Sequence, residues 1–141
     1  MNVLFLEPFH GGSHAALVDG LTRHLDVTFD VRTLPARRWN WRMRTAAVHF
    51  ADELHANPPA ATPDVVVATS LMNLAEFRAL APKDIAARPT LFFFHENQIA
   101  YPFRETRERD HHFALTNVIS ALAADHVVFN TRFNRDSMLD G

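Results

Sequence analysis

The chain contains no cysteine, which excludes disulfides, thiolate nucleophiles and thiolate zinc centres together and fits a reducing compartment. No apolar stretch approaches the ~20 residues that cross a bilayer. The N-terminus shows neither the basic region nor the small-residue cleavage site of a secretory signal, so a soluble, cytoplasmic protein with no membrane partner is expected. Neither sign of charge dominates: 14 basic residues against 16 acidic ones leave a net charge of −2. Electrostatic nucleic-acid binding by the whole surface is thereby excluded. Internal repeats and low-complexity segments are absent. So are the G-x-G-x-x-G dinucleotide fingerprint, the Gly-Lys-Ser/Thr of a P-loop and the G-x-S-x-G nucleophile elbow. The adjacent His111 and His112 would lie about 100° apart on a helix and cannot both face one ion, so no metal is expected.

What the chain does have is 141 residues that are 48% hydrophobic, one domain's worth with a core of its own. Short apolar runs at 2–7, 27–34, 64–69, 91–94 and 126–130 read as strands. Between them, apolar residues recur at helical spacing in 15–25, 45–56, 74–80 and 105–124, and Thr131 caps a further helix. This alternation predicts an α/β fold, a Rossmann-like parallel sheet flanked by helices. It stops in or just after a helix, as a piece of a larger protein would.

In such sheets ligands bind beyond the carboxyl ends of the strands. The central stretch is the buried run 91–94, which breaks into His95, Glu96, Asn97 and Gln98, with Tyr101 and Pro102 closing the loop. An imidazole, a carboxylate and two amides donate and accept hydrogen bonds in the combinations a sugar or base edge requires. The first strand runs into Gly11, Gly12, Ser13 and His14 at the start of a helix. Glycine amides and a helix N-terminus there can hold a diphosphate. The same loop is also compatible with a tight turn in which Ser13 is only the helix cap. Ser70 and Asn73 leave the third strand toward the same edge, and Asn130 ends the fifth.

Between Arg32 and Arg44 stand five arginines and two tryptophans with no acidic residue. Arg37, Arg38, Arg42 and Arg44 offer forks for phosphate oxygens, and Trp39 and Trp41 offer rings for base stacking. The alternative is that the tryptophans anchor the next helix and the arginines solvate its start.

These pieces together resemble the N-terminal domain of the tRNA-queuosine α-mannosyltransferase family, glycosyltransferases of GT-B architecture. The resemblance rests on residues 7–14 (EPFHGGSH), 33–45 (TLPARRWNWRMRT), 70–76 (SLMNLAE), 94–102 (FHENQIAYP), 108–110 (ERD) and 129–134 (FNTRFN). The tryptophan-arginine and His-Glu-Asn-Gln blocks are specific; the Gly-Gly is not. It implies a retaining transfer of mannose from GDP-mannose to queuosine in a tRNA anticodon, with no cofactor and no metal. Residues 1–141 would be the acceptor-side half, inactive without a C-terminal donor-binding domain that this chain lacks. By position, Gly11, Gly12, Ser13 and His14 would lie at the donor diphosphate and His95 at the transferred sugar, with Glu96 as an orienting or acid–base group. Asn97, Gln98, Tyr101, Ser70, Asn73 and Asn130 would contact substrate, and the segment from Arg37 to Arg44 would meet tRNA. Two other readings compete: a non-catalytic Rossmann-like nucleotide-binding module, and a hydrolase pairing Ser70 with His95.

Overall fold

The computed structural model describes residues 1–99 and 111–140. Five strands, β1 (Asn2–His10), β2 (Thr28–Pro35), β3 (Val65–Thr69), β4 (Thr90–Phe94) and β5 (His126–Phe129), form one sheet in the order β2-β1-β3-β4-β5. Every neighbouring pair is parallel. Six helices connect or follow them: α1 (Gly12–His24), α2 (Trp39–Ala56), α3 (Leu74–Leu80), α4 (Lys83–Ala86), α5 (His111–Ala123) and α6 (Arg132–Leu139). This is the expected Rossmann-like α/β architecture. From β1 the chain moves outward to β2 and then crosses back to β3. The strand order therefore reverses between β1 and β3, which opens a crevice beyond their carboxyl ends.

Strands buried on both sides need apolar residues throughout, and β1 supplies them with Val3, Leu4, Phe5 and Leu6. Leu4 and Leu6 join Val66, Ala68, Phe92 and Phe94 on one face, where Phe50 and Leu54 of α2 and Phe77 of α3 cover them. On the other face Val3, Phe5, Val67 and Phe93 lie under Leu17 and Leu21 of α1, bordering an apolar groove of about 350 Å³. The core thus holds the strands rigidly, and the side chains at their tips inherit that rigidity.

Several boundaries differ from those the sequence predicts. β1 runs on to His10, because its outer neighbour β2 continues to pair with it as far as Pro35. α1 begins at Gly12 with Gly11 as its cap residue and no side-chain cap, so Ser13 lies inside the helix and does not cap it. α2 begins at Trp39, six residues before the predicted Thr45, because Met43, Ala46, Ala47, Phe50 and Leu54 continue one buried stripe toward the N-terminus. The short α4 carries too little periodicity to be seen in advance. Tyr101 and the first part of the helix expected at 105–124 lie outside the described residues.

Candidate functional site

The carboxyl edge is built on Glu7. It continues the apolar run of β1 yet is fully buried, and a buried carboxylate is tolerated only when its oxygens are satisfied. Three donors do this. The Phe9 N–H and His14 Nδ1–H donate to Oε1 at 2.8 and 3.0 Å, and the Thr69 hydroxyl donates to Oε2 at 3.0 Å. Glu7 therefore ties the tips of β1 and β3 to the first turn of α1.

His14 points inward from that turn and is itself buried. Its Nε2 lies 3.4 Å from Glu96 Oε2, so a carboxylate stands at each ring nitrogen. Burial alone would lower its pKa; hydrogen bonds and charge from Glu7 and Glu96 outweigh this and raise it to about 9. His14 is an imidazolium at neutral pH. Its ring stacks on His95 at 3.9 Å between centroids and 30° between planes. Burial first, and the neighbouring His14 charge second, push the His95 pKa below its ordinary value. A cation and a neutral imidazole therefore lie face to face.

Buried polar atoms without a hydrogen-bond partner gather at this same edge. Among the described residues they are His10 Nδ1 at the tip of β1, Ser70 Oγ after β3, His95 Nε2 and Gln98 Oε1 after β4, and Arg42 Nε in α2. Folded proteins satisfy nearly all such atoms, so each exception calls for a physical explanation. Ser70 and Gln98 are held side by side by Asn117 of α5. Its Nδ2 donates to the Ser70 carbonyl at 3.0 Å, and its Oδ1 accepts the Gln98 N–H at 2.8 Å. Ser70 Oγ makes no hydrogen bond to His95, so the serine-histidine pair of a hydrolase is not assembled.

Other residues singled out in the sequence hold the loops. Asn97 Nδ2 donates to the backbone oxygen and Oδ1 of Asn134 and to Ser137 Oγ, while its Oδ1 accepts from the Ile99 N–H. Asn130 Nδ2 donates to the His95 carbonyl at 2.6 Å, and its Oδ1 accepts from Asn134. Asn73 caps α3 through the Glu76 N–H. Gly11 is required by space: a Cβ there would stand 2.5 Å from the Ala36 Cβ. Gly12 takes φ +54° with nothing against it, a conformation that side chains disfavour.

That contact between Gly11 and Ala36 joins the glycine loop to the basic segment. Arg37, Arg38, Trp41 and Arg42 line an open pocket of about 390 Å³ at the start of α2. Arg38 is the cap residue and has left-handed backbone, φ 51°. Burial, then the Arg37 charge, lowers the pKa of Arg42, whose Nη2 donates to the Pro35 carbonyl. The two tryptophans part company. Trp41 is 57% exposed, whereas Trp39 packs at 5.2 Å on Phe113 of α5 beside Met43 and Leu71. Arg44 lies over the same Phe113 ring. Arg32 is committed too, donating to Asp30 and Glu53 and so pinning β2 to α2.

Ligating atoms of Glu7, His14 and His95 lie within 4.8 Å of one another, and His111 and His112 are not part of that group. A divalent ion would have to displace the protons that now join His14 to its two carboxylates. Glu7 and Asn117 are the important residues that motif reading missed. The signal for Glu7 was a carboxylate closing an otherwise apolar strand, since acids are rarely buried without a purpose.

A parallel sheet covered by helices, with its strand order reversing between β1 and β3, defines a Rossmann-like α/β domain. A profile of the family described as tRNA-queuosine alpha-mannosyltransferase N-terminal matches residues 2–141, and the chain belongs to that family. It is 42% identical over 140 residues to a tRNA-queuosine alpha-mannosyltransferase of Drosophila melanogaster, a match covering 99% of this chain. The chain spans 36% of that relative's length. No solved structure matches.

Proposed function

We propose that this chain is the acceptor-side, N-terminal part of a retaining GT-B glycosyltransferase that moves mannose from GDP-mannose to queuosine in a tRNA anticodon. Activity requires a C-terminal donor-binding domain, and the enzyme works in the cytoplasm. One observation carries the reading: the unpartnered His95 Nε2, Ser70 Oγ and Gln98 Oε1 collect at the carboxyl edge beside the switch point, where a polyhydroxylated ligand would complete their hydrogen bonds. The relative's name supplies the reaction.

In this reading the neutral His95 holds a hydroxyl of the transferred sugar, with Ser70 and Gln98 beside it. Glu96 orients that sugar, and its carboxylate favours the positive charge that develops on an oxocarbenium-like ring. Gly11 and Gly12 let the donor diphosphate approach the start of α1, where the Gly12 and Ser13 amides precede the first helical hydrogen bond, from the His14 N–H to the Gly11 carbonyl. Both His14 nitrogens already face carboxylates, so His14 serves the diphosphate less than the loop does. Arg37, Arg38, Arg42 and the exposed Trp41 meet the tRNA, while Trp39 and Arg44 hold α2 against α5.

The test uses the full-length protein with GDP-mannose and queuosine-containing tRNA, followed by mass spectrometry of the anticodon nucleoside. A hexose mass shift with GDP-mannose and none with UDP-galactose is expected. No shift with either donor would overturn the reading, and a shift with UDP-galactose alone would replace the donor.

A further inference from the structure

Glu7 and His14 are buried at the carboxyl edge, with the His14 ring stacked on His95. We propose that they are positioning residues: Glu7 fixes the His14 ring, and His14, stacked on His95, fixes the orientation and protonation of His95 so that its Nε2 is offered to the sugar. The proposal rests on the functional reading above but concerns residues that reading does not place on the substrate.

The geometry carries it. Glu7 is wholly buried and grips one nitrogen of His14 at 3.0 Å while its other oxygen is locked by Thr69. Nothing in that arrangement can turn without losing a buried bond. His14 passes the constraint on through the 3.9 Å ring stack. Phe9 closes one side of His14 edge-on at 5.7 Å, and Phe93 closes His95 edge-on at 5.0 Å. The Asn130 hydrogen bond to the His95 carbonyl holds the backbone. The Nε2 of His95 is buried with no hydrogen-bond partner. Among the described residues, the charged and titratable groups facing the pair are Glu7 from β1 and Glu96 from the loop after β4. Burial first, and the like charge of protonated His14 in ring contact second, disfavour a proton on His95. A neutral imidazole can accept from or donate to a sugar hydroxyl; an imidazolium can only donate.

A purely structural Glu7–His14 pair would leave His95 chemistry unchanged on mutation, and that separates the two roles. Histidine-selective proton–nitrogen NMR of the protein across about pH 5 to 10 reads tautomer and titration midpoint directly. In the wild type, His14 should hold both protons through neutral pH and titrate near 9, with His95 neutral above a midpoint lower than usual. Glu7→Gln should bring the His14 midpoint down by about one pH unit or more, and His14→Gln should bring the His95 midpoint up. Unchanged His95 shifts and midpoint in a folded His14→Gln protein would overturn the proposal. That variant leaves Glu7 in place, so it remains decisive if Glu7→Gln does not fold. In the full-length enzyme, Glu7→Gln should lower kcat about 10-fold or more with little change in the donor KM. The NMR result does not depend on transfer: failure of the wild type to transfer mannose sinks the functional reading alone, and unmoved His95 resonances sink this proposal alone.

Discussion

At the scale of single residues, the buried ion cluster and the glycine loop make separable demands. His14 has a folded pKa of about 9 against an unfolded value of 6.5. Because the folded value is the higher one, protonation of His14 stabilises the fold fully below about pH 6.5, and this contribution is lost as pH rises toward 9. Urea unfolding of the wild type should therefore show a midpoint that declines between these two values, while His14→Gln shows a flatter profile there. A wild-type midpoint independent of pH in that window would contradict the ion cluster. Gly11 is constrained by its neighbour and not by backbone angle: its φ of −178° suits any residue, but a Cβ would meet Ala36 at 2.5 Å. Gly11→Ala is expected to destabilise by about 1–3 kcal/mol. Adding Ala36→Gly should recover most of that loss, giving a coupling energy that two independent sites would not show.

At the scale of elements, the asparagines divide the work between loops and helices. Asn134 is buried in α6, where its Nδ2 donates to the Phe94 carbonyl at 3.0 Å and its Oδ1 accepts from Asn97. It clamps the exit of β4 to α6 in the way that Asn117 clamps the same loop to α5. Asn117→Ala leaves the Ser70 carbonyl and the Gln98 N–H buried without a partner, at a cost of about 1–3 kcal/mol. Denaturant unfolding should show that loss, and the full-length enzyme should lose kcat as Ser70 and Gln98 separate. A variant of unchanged stability would mean that the Asn117 bonds are replaced when it is removed. The early start of α2 belongs to this scale as well. It places Arg42 and Trp41 on a helix surface and turns Trp39 inward onto Phe113, so one run of aromatic and basic residues is split between packing and solvent.

At the scale of the whole molecule, a net charge of −2 is compatible with a local basic face. Arg37, Arg38 and Arg42 stand together at the β2 side of the carboxyl edge, next to the glycine loop. The Arg37→Glu/Arg42→Glu double variant of the full-length protein should bind tRNA more weakly. Its plot of log affinity against log salt should flatten by about 0.7–0.9 for each phosphate that the protein no longer neutralises. An unaltered salt slope would remove these arginines from the RNA interface. The same edge exists because the strand order reverses between β1 and β3, and no single element creates it.

The strands, most of the helices and the parallel sheet were legible because they follow from local rules. Continuous apolar runs with polar breaks demand buried strands, and helical spacing demands covering helices. The residues 95–98 were legible as a candidate site for the same reason, since polarity that begins where a buried strand ends lies at a sheet edge. Three things were decided only by the tertiary structure. It brought His14 onto His95, residues 81 positions apart in the chain. It turned Asn97 and Asn130 into loop fasteners, because Asn134, Ser137 and the His95 carbonyl come from other segments. And it made Glu7 the hub of the site, a role set by donors from Thr69 and His14. Chain order carries hydrophobic periodicity; which polar atom meets which is a matter of distances that exist only once the sheet has formed.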